Sequence, residues 1–284
     1  EQPDWKPHLA PGDFLYWALS NFETVESVKQ AIENKEVSIV GVILPELEII
    51  PPFHYTLHDR TGQSIVVEPV DGVLKVYDNP VGILTNSPDL PWQLINLTNY
   101  VNLSPVNAGD GRILKQVIPT FSQGSGWVGL PGDPTPSSRF LRVASMVATA
   151  NTGASAEDAL SMAQHILNNF DIPKGWIRPG AADPDPESDD EISSENVRET
   201  EQPVPSGPAP DEDYTQWSVM ADLQNKTYYI RSKDAMAFSL AGFNETDWTN
   251  AKPAKDASGV LVLELTASPD FVPLNEQQSA LMDK

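Results

Sequence analysis

The stretch from Asp183 to Asp213 constrains this chain most. It holds 12 acidic residues against one Arg, six prolines and almost no large apolar side chain. Such a segment buries too little apolar surface to offset the entropy lost on ordering, so it is expected to be a mobile surface insertion or linker. It also carries −11 of the formal net charge of −22. A solvated spacer is the plain reading; a docking tail for a basic partner is the alternative. Placed at 180–212, the insertion interrupts what reads as one domain built from residues 1–179 and 213–284.

Outside the insertion the charge is ordinary for the size and asks for no special partner. An acidic chain argues against nucleic acid and against an anionic membrane surface, because phosphate neutralisation needs Lys and Arg. No apolar run reaches the ~18 residues that a membrane helix requires. The chain contains no Cys. That excludes a disulfide framework, a zinc ribbon, an iron–sulfur site and a thiol nucleophile within these residues. Compartment stays open between cytoplasm and periplasm.

Hydrophobic periodicity places helices and strands in alternating blocks. Residues 11–21 read as a helix with Pro11 near its start and Phe14, Leu15 and Trp17 or Ala18 facing inward. Thr24 is positioned to cap a second helix carrying Val25, Val28 and Ile32. Val37 to Leu44 is strand-like, and Phe53, Tyr55 and Leu57 alternate with His54, Thr56 and His58 as in a half-buried strand. Arg60-Thr61-Gly62 turns into Ser64–Glu68, and Asp71-Gly72 is a hairpin signal leading to Val73–Tyr77. Two helices follow. One starts near Ser137 with Phe140, Val143, Ala144 and Val147 inward; the other has Ser155 as cap and a stripe of Leu160, Ala163, Leu167 and Phe170. Beyond the insertion, Trp217–Leu223, Thr227–Arg231, Ala235–Leu240 and Val260–Leu265 read as strands. Strands, helices and strands again imply a layered α+β fold with sheets covered by helices.

Several patterns dissolve on inspection. Gly124-Ser125-Gly126-Trp127-Val128-Gly129 matches the dinucleotide-binding glycine pattern, yet Pro131, Pro134 and Pro136 forbid the helix that must follow it. A tight loop with close backbone approach is the better reading. His54 and His58 are four apart, but on a strand that spacing spans about 13 Å, too far to share a metal. No metal site or cofactor is expected. No Ser lies in a nucleophile elbow. The residues alone supply no complete catalytic set.

Three longer runs carry a resemblance. The first is Val76-Tyr77-Asp78-Asn79-Pro80-Val81-Gly82-Ile83-Leu84-Thr85-Asn86-Ser87-Pro88, with Trp92-Gln93-Leu94 and Asn96-Leu97-Thr98-Asn99-Tyr100 behind it. The second is Gly129-Leu130-Pro131-Gly132-Asp133-Pro134-Thr135-Pro136-Ser137-Ser138-Arg139-Phe140, and the third is His165-Ile166-Leu167-Asn168-Asn169. Together they resemble the choloylglycine hydrolase family, which includes bile salt hydrolases and penicillin V acylases. The resemblance covers about 10–178 and, loosely, 213–265. It implies an N-terminal-nucleophile amide hydrolase with a four-layer αββα sandwich. In that family an N-terminal Cys attacks the carbonyl, its own α-amine acts as base, and an Arg and an Asp close behind it assist.

That leading portion has no counterpart in these residues. The expectation is therefore a larger fragment whose partner is a separate N-terminal chain bearing the Cys nucleophile; an incomplete product is the other option. Enzymatic activity is expected only with that portion present. The resemblance assigns catalytic roles to Asn86, as an oxyanion-hole donor, and to Arg139, which orders polar groups at the site. Without it, Asn86 is a turn residue before Pro88, and Arg139 is a surface Arg paired with Asp133. The apolar loop 43–53 offers Leu47, Ile49 and Ile50 as substrate contacts, or as caps on the core. The substrate class is a small N-acylated molecule, conjugated bile salts first and penicillin V second. A noncatalytic relative that binds an acylated ligand is the alternative of a different class. A homo-oligomer formed through residues 100–125 is also implied by the resemblance.

Overall fold

A computed structural model describes residues 8–43, 50, 52–70, 73–178, 213–223, 225 and 227–232, and the backbone of 239–242, 252–253 and 261–262. The acidic insertion 180–212, Leu47, Ile49 and the Asp71-Gly72 turn lie outside the described residues. The chain divides into two compact units, 1–162 with 223–225 and 163–222 with 226–284. Both helices and sheets are present in the α+β manner.

The first unit opens with β1 (His8–Leu9), a 3₁₀ turn at Pro11–Asp13, α1 (Phe14–Asn21), α2 (Val25–Glu33) and β2 (Ser38–Ile39). Thr24 caps α2, its side chain accepting the Ser27 amide at 3.2 Å, and the Asp59 carboxylate takes the Val25 amide at 3.2 Å. Among the described residues of the expected strand 37–44, only β2 is paired, in parallel with β1. β3 (Tyr55–His58), β4 (Ser64–Val70) and β5 (Val73–Asp78) form the antiparallel meander. Val70 pairs with Val73, so only Asp71 and Gly72 separate the strands, as their dipeptide predicts.

β4 is the centre of this unit because it is buried on both faces. Its odd residues Ile65 and Val67 pack with Phe14, Ala18, Val25, Val28, Ile32 and Tyr55. Tyr55 packs against Phe14 with ring centroids 4.5 Å apart and planes tilted by 45°, and it donates its hydroxyl to the Pro11 carbonyl at 2.7 Å. Burial raises that phenol to about 12. The even face holds Val66 in a second core with Ile83, Leu90 and Phe140. Those residues come from the loop after β5, from α3 (Leu90–Leu97) and from α4 (Pro136–Thr149). Of the predicted inward residues, Leu15 on α1 and Phe53 before β3 are exposed, as is Val147 on α4.

Between α3 and α4 lies a small hairpin, β6 (Gly111–Ile113) and β7 (Gln116–Ile118), with every residue exposed. The glycine-rich run beyond it is the tight loop expected. A Cβ on Gly126 would collide with the carbonyl oxygens of Ser104 and Val106, and Ser104 donates its amide to the Gly126 carbonyl at 3.0 Å.

α5 (Ala156–Asn168) is capped by Ser155, whose hydroxyl accepts the Asp158 amide at 3.1 Å. No residue of α5 is fully buried. The second unit holds β8 (Trp217–Asp222), β9 (Thr227–Ser232) and β10 (Ser239–Gly242) in one antiparallel sheet, and β11 (Lys252–Pro253) paired with β12 (Leu261–Val262). Arg231 on β9 is buried and forms a two-bond ion pair with Asp171 at 2.7 and 2.9 Å, with Asn168 as a further acceptor at 2.5 Å. Among the described residues no helix is long and apolar enough to cross a membrane.

Candidate active site

Asn86 and Arg139 stand 53 positions apart in sequence, and the fold joins them. Arg139 Nη2 donates to Asn86 Oδ1 at 2.6 Å. Each arrives by a separate local device.

Asn86 lies in the segment linking β5 to α3. At its start Asn79 folds the chain back, its amide side chain donating to the Ile83 carbonyl at 3.1 Å and accepting the Ile83 amide at 3.3 Å. That turn buries Ile83 in the second core. Thr85 then donates its hydroxyl to the Pro136 carbonyl, at the start of α4, at 3.1 Å. The Ser87–Pro88 peptide bond is cis. Asp89 caps α3 by accepting the Trp92 amide at 3.3 Å, leaving Asn86 exposed between these anchors.

Arg139 sits in the first turns of α4, where a cation is disfavoured by the helix dipole. The helix entry is organised by the Asp133 carboxylate, which accepts the Thr135 amide at 3.0 Å, the Thr135 hydroxyl and the Ser138 hydroxyl at 2.7 Å. The Thr135 and Ser138 hydroxyls hold Asp133 down to about 2. With its carboxylate so engaged, Asp133 does not pair with Arg139. Instead Arg139 Nε donates to the Pro134 carbonyl at 2.8 Å. Arg142, one turn on, donates to the carbonyls of Pro131 and Asp133 at 3.1 and 2.7 Å. Two arginines thus grip the backbone of the loop 131–135. Burial, and secondarily the neighbouring Arg142, lower the Arg139 pKa.

The bond between the two residues fixes the Asn86 amide. A guanidinium has no acceptor, so the atom facing it is the amide oxygen and the Nδ2–H₂ group points away. Among the described residues nothing accepts from that group. The pair therefore presents two hydrogen-bond donors beside a positive charge that no carboxylate neutralises among the described residues. Such a set stabilises developing negative charge; it supplies neither nucleophile nor base.

Ile50 is exposed and its side chain covers Gly41, where a Cβ would lie 3.0 Å from Ile50 Cδ1. His54 pairs with Glu68 at 2.8 Å. His58 approaches Thr56 Oγ1 at 3.1 Å, and burial lowers its pKa. Sequence reasoning passed over Glu68 and Gln93, both buried behind the Asn86 segment. The readable signal was a charge closing the apolar run Ile65-Val66-Val67.

Comparison with known proteins places the chain in a family. The profile of linear amide C–N hydrolases, choloylglycine hydrolase family, matches residues 1–183. A bile salt hydrolase/transferase from Clostridium perfringens is 39% identical over 181 residues, 63% of this chain and 54% of that protein. A penicillin V acylase from Pectobacterium atrosepticum is 24% identical over 187 residues, 61% of this chain and 44% of that protein. The crystal structure of a mutant conjugated bile acid hydrolase from Clostridium perfringens superposes with a TM-score of 0.66 at 30% identity, covering 87% of this chain and 66% of its own. Penicillin V acylase from Agrobacterium tumefaciens, at 20% identity and a TM-score of 0.59, shares the fold, covering 87% of this chain and 60% of its own. The chain thus spans about half the length of the curated relatives it matches. On the profile, the relatives and the fold together, it belongs to the choloylglycine hydrolase family of linear amide C–N hydrolases.

Proposed function

We propose that this chain is the larger fragment of an amide hydrolase that cleaves N-acylated small molecules, with the nucleophilic Cys on a separate N-terminal chain. The observation that carries the reading is the Arg139–Asn86 bond, which turns an amide N–H₂ group outward beside a cation that no carboxylate neutralises among the described residues. The 284 residues contain no Cys, so any thiol comes from outside them. In this reading residues 1–179 and 213–284 contribute to one αββα domain that the Cys-bearing chain completes.

The chemistry follows from these parts. The α-amine of the Cys takes the thiol proton. The sulfur attacks the amide carbon, forming a C–S bond as the carbonyl pair moves onto oxygen. Asn86 donates to that oxygen, and one such donor is worth roughly 3 kcal/mol. Collapse breaks the C–N bond, the ammonium proton passes to the departing amine, and a thioester remains. Water hydrolyses the thioester to the free acid and restores the thiol. Conjugated bile salts are the favoured substrates because the relatives named for bile salts reach 39% identity and the penicillin V acylase 24%. Leu47, Ile49 and Ile50 contact the apolar acyl part, so Leu47→Ala raises KM for such substrates.

A homo-oligomer formed through residues 100–125 belongs to the same proposal. Ile113, Leu114 and Phe121 are each more than half exposed there, and apolar groups so displayed favour burial against a second copy. Sedimentation of the native protein tests it, and a monomer contradicts it.

Intact mass, N-terminal sequencing and amide release on the native material test the main reading. A companion chain beginning with Cys, with glycine or taurine freed from conjugated bile salts, supports it. A lone chain without amidase activity overturns it and favours a noncatalytic acyl-ligand binder.

A further inference from the structure

Glu68 is 1% exposed, on the even face of β4 beside Val66. Burying a carboxylate costs several kcal/mol unless it is well paired. Both of its oxygens are used. Oε1 is hydrogen-bonded to Nδ1 of His54 at 2.8 Å; with Glu68 ionised, that nitrogen carries the proton. The pairing continues the β3–β4 register, in which Tyr55 faces Val67. Oε2 accepts the amide of Leu90 at 3.1 Å.

Leu90 is the first residue of α3, and its amide is one of the four that a helix leaves unpaired. A carboxylate at that end is also favoured by the helix dipole. Gln93, 2% exposed, donates to the Pro88 carbonyl at 3.3 Å. Buried side chains therefore hold Pro88 and Leu90 from behind, and Thr85 is tied to α4 on the other side. Asn86 lies on the short bridge between these anchors. The Glu68 link is the charged one, and it reaches the site from the most buried strand of the sheet.

We propose that Glu68, itself held by His54, is a positioning residue that sets the Asn86 amide. The assignment rests on the reading of Asn86 as the oxyanion donor. Removing the acceptor frees the start of α3, the bridge relaxes, and the amide loses its aim. A displacement of about 1 Å at such a donor costs on the order of 100-fold in rate.

The test compares Glu68→Leu with Glu68→Gln in the full protein. Gln keeps an oxygen for the Leu90 amide; Leu keeps only the volume. Two signals are read: the Asn86 side-chain amide resonance in ¹H–¹⁵N spectra, assigned by its loss in Asn86→Asp, and kcat with KM on a glycine-conjugated bile salt. In Glu68→Leu the resonance moves or broadens and kcat falls on the order of 100-fold, with KM within about twofold. Glu68→Gln restores both. A folded Glu68→Leu protein with an unmoved resonance overturns the proposal, as does a Gln variant no better than Leu. If Glu68→Leu does not fold, His54→Phe decides in its place: a shifted resonance supports the proposal and an unmoved one overturns it. Should the wild type hydrolyse nothing while the resonance moves in Leu and returns in Gln, positioning stands and the catalytic reading of Asn86 fails.

Discussion

Arg139 and Arg231 show two uses of the same side chain. Arg231 is buried and meets a carboxylate through two bonds, with Asn168 and Ser218 as further acceptors. Its charge is neutralised where it stands, and its work is to tie the end of α5 to the β8–β9 sheet. Arg139 is half-buried, and among the described residues its partners are a main-chain carbonyl and an amide oxygen, both neutral. Its planar fork orders the site while its charge stays available to an anion. An ion pair saturates a cation; a pair of neutral acceptors aims it. The second arrangement is the one expected of a group waiting for charge to develop in a substrate.

Substitutions separate the two roles. Arg231→Leu leaves Asp171 without its partner. Because Asp171 is 40% exposed, the loss of unfolding free energy is about 2–3 kcal/mol, below the range for fully buried pairs; urea titration measures it. Arg139→Leu changes stability by less than about 1 kcal/mol, yet lowers kcat on the order of 100-fold. Equal destabilisation by both would erase the contrast. Thr24→Ala, far from either arginine, costs about 1 kcal/mol through the lost cap of α2 and leaves turnover alone.

The smallest expected effect concerns pH. Asp133 is held at about 2 from an ordinary value of 3.8. A carboxyl depressed by folding stabilises above its unfolded value, and that contribution is lost as pH falls from about 4 towards about 2. Asp133 is largely exposed, so solvent keeps the effect slight. Asp133→Asn flattens the acid limb of a melting-temperature profile across that window. An unchanged limb contradicts the assignment of Asp133 as organiser of the α4 entry.

Much of the fold was legible where local chemistry decides it. The Thr24 cap, the Asp71-Gly72 hairpin and the start of α4 each depend on residues within a few positions of one another. The short β2 was not legible, because an apolar run becomes a strand only as far as a partner extends. α3 was passed over, although Asp89 as cap and Pro91 in its first turn announce a helix. Glu68 was the hardest to read. A charged residue on a strand suggests a solvent-facing side, and only the cross-strand His54 and the distant Leu90 amide make its burial tolerable. For the site, the resemblance picked out Asn86 and Arg139 separately. That the one orients the other depends on a contact across 53 positions, which no local pattern encodes.

Hydrolysis of a glycine-conjugated bile salt by the native protein and by Asn86→Ala tests the central claim most directly. The amide donor predicts a fall in kcat of roughly 100- to 1,000-fold, with KM and melting temperature nearly unchanged. Equal turnover by the two proteins would contradict it.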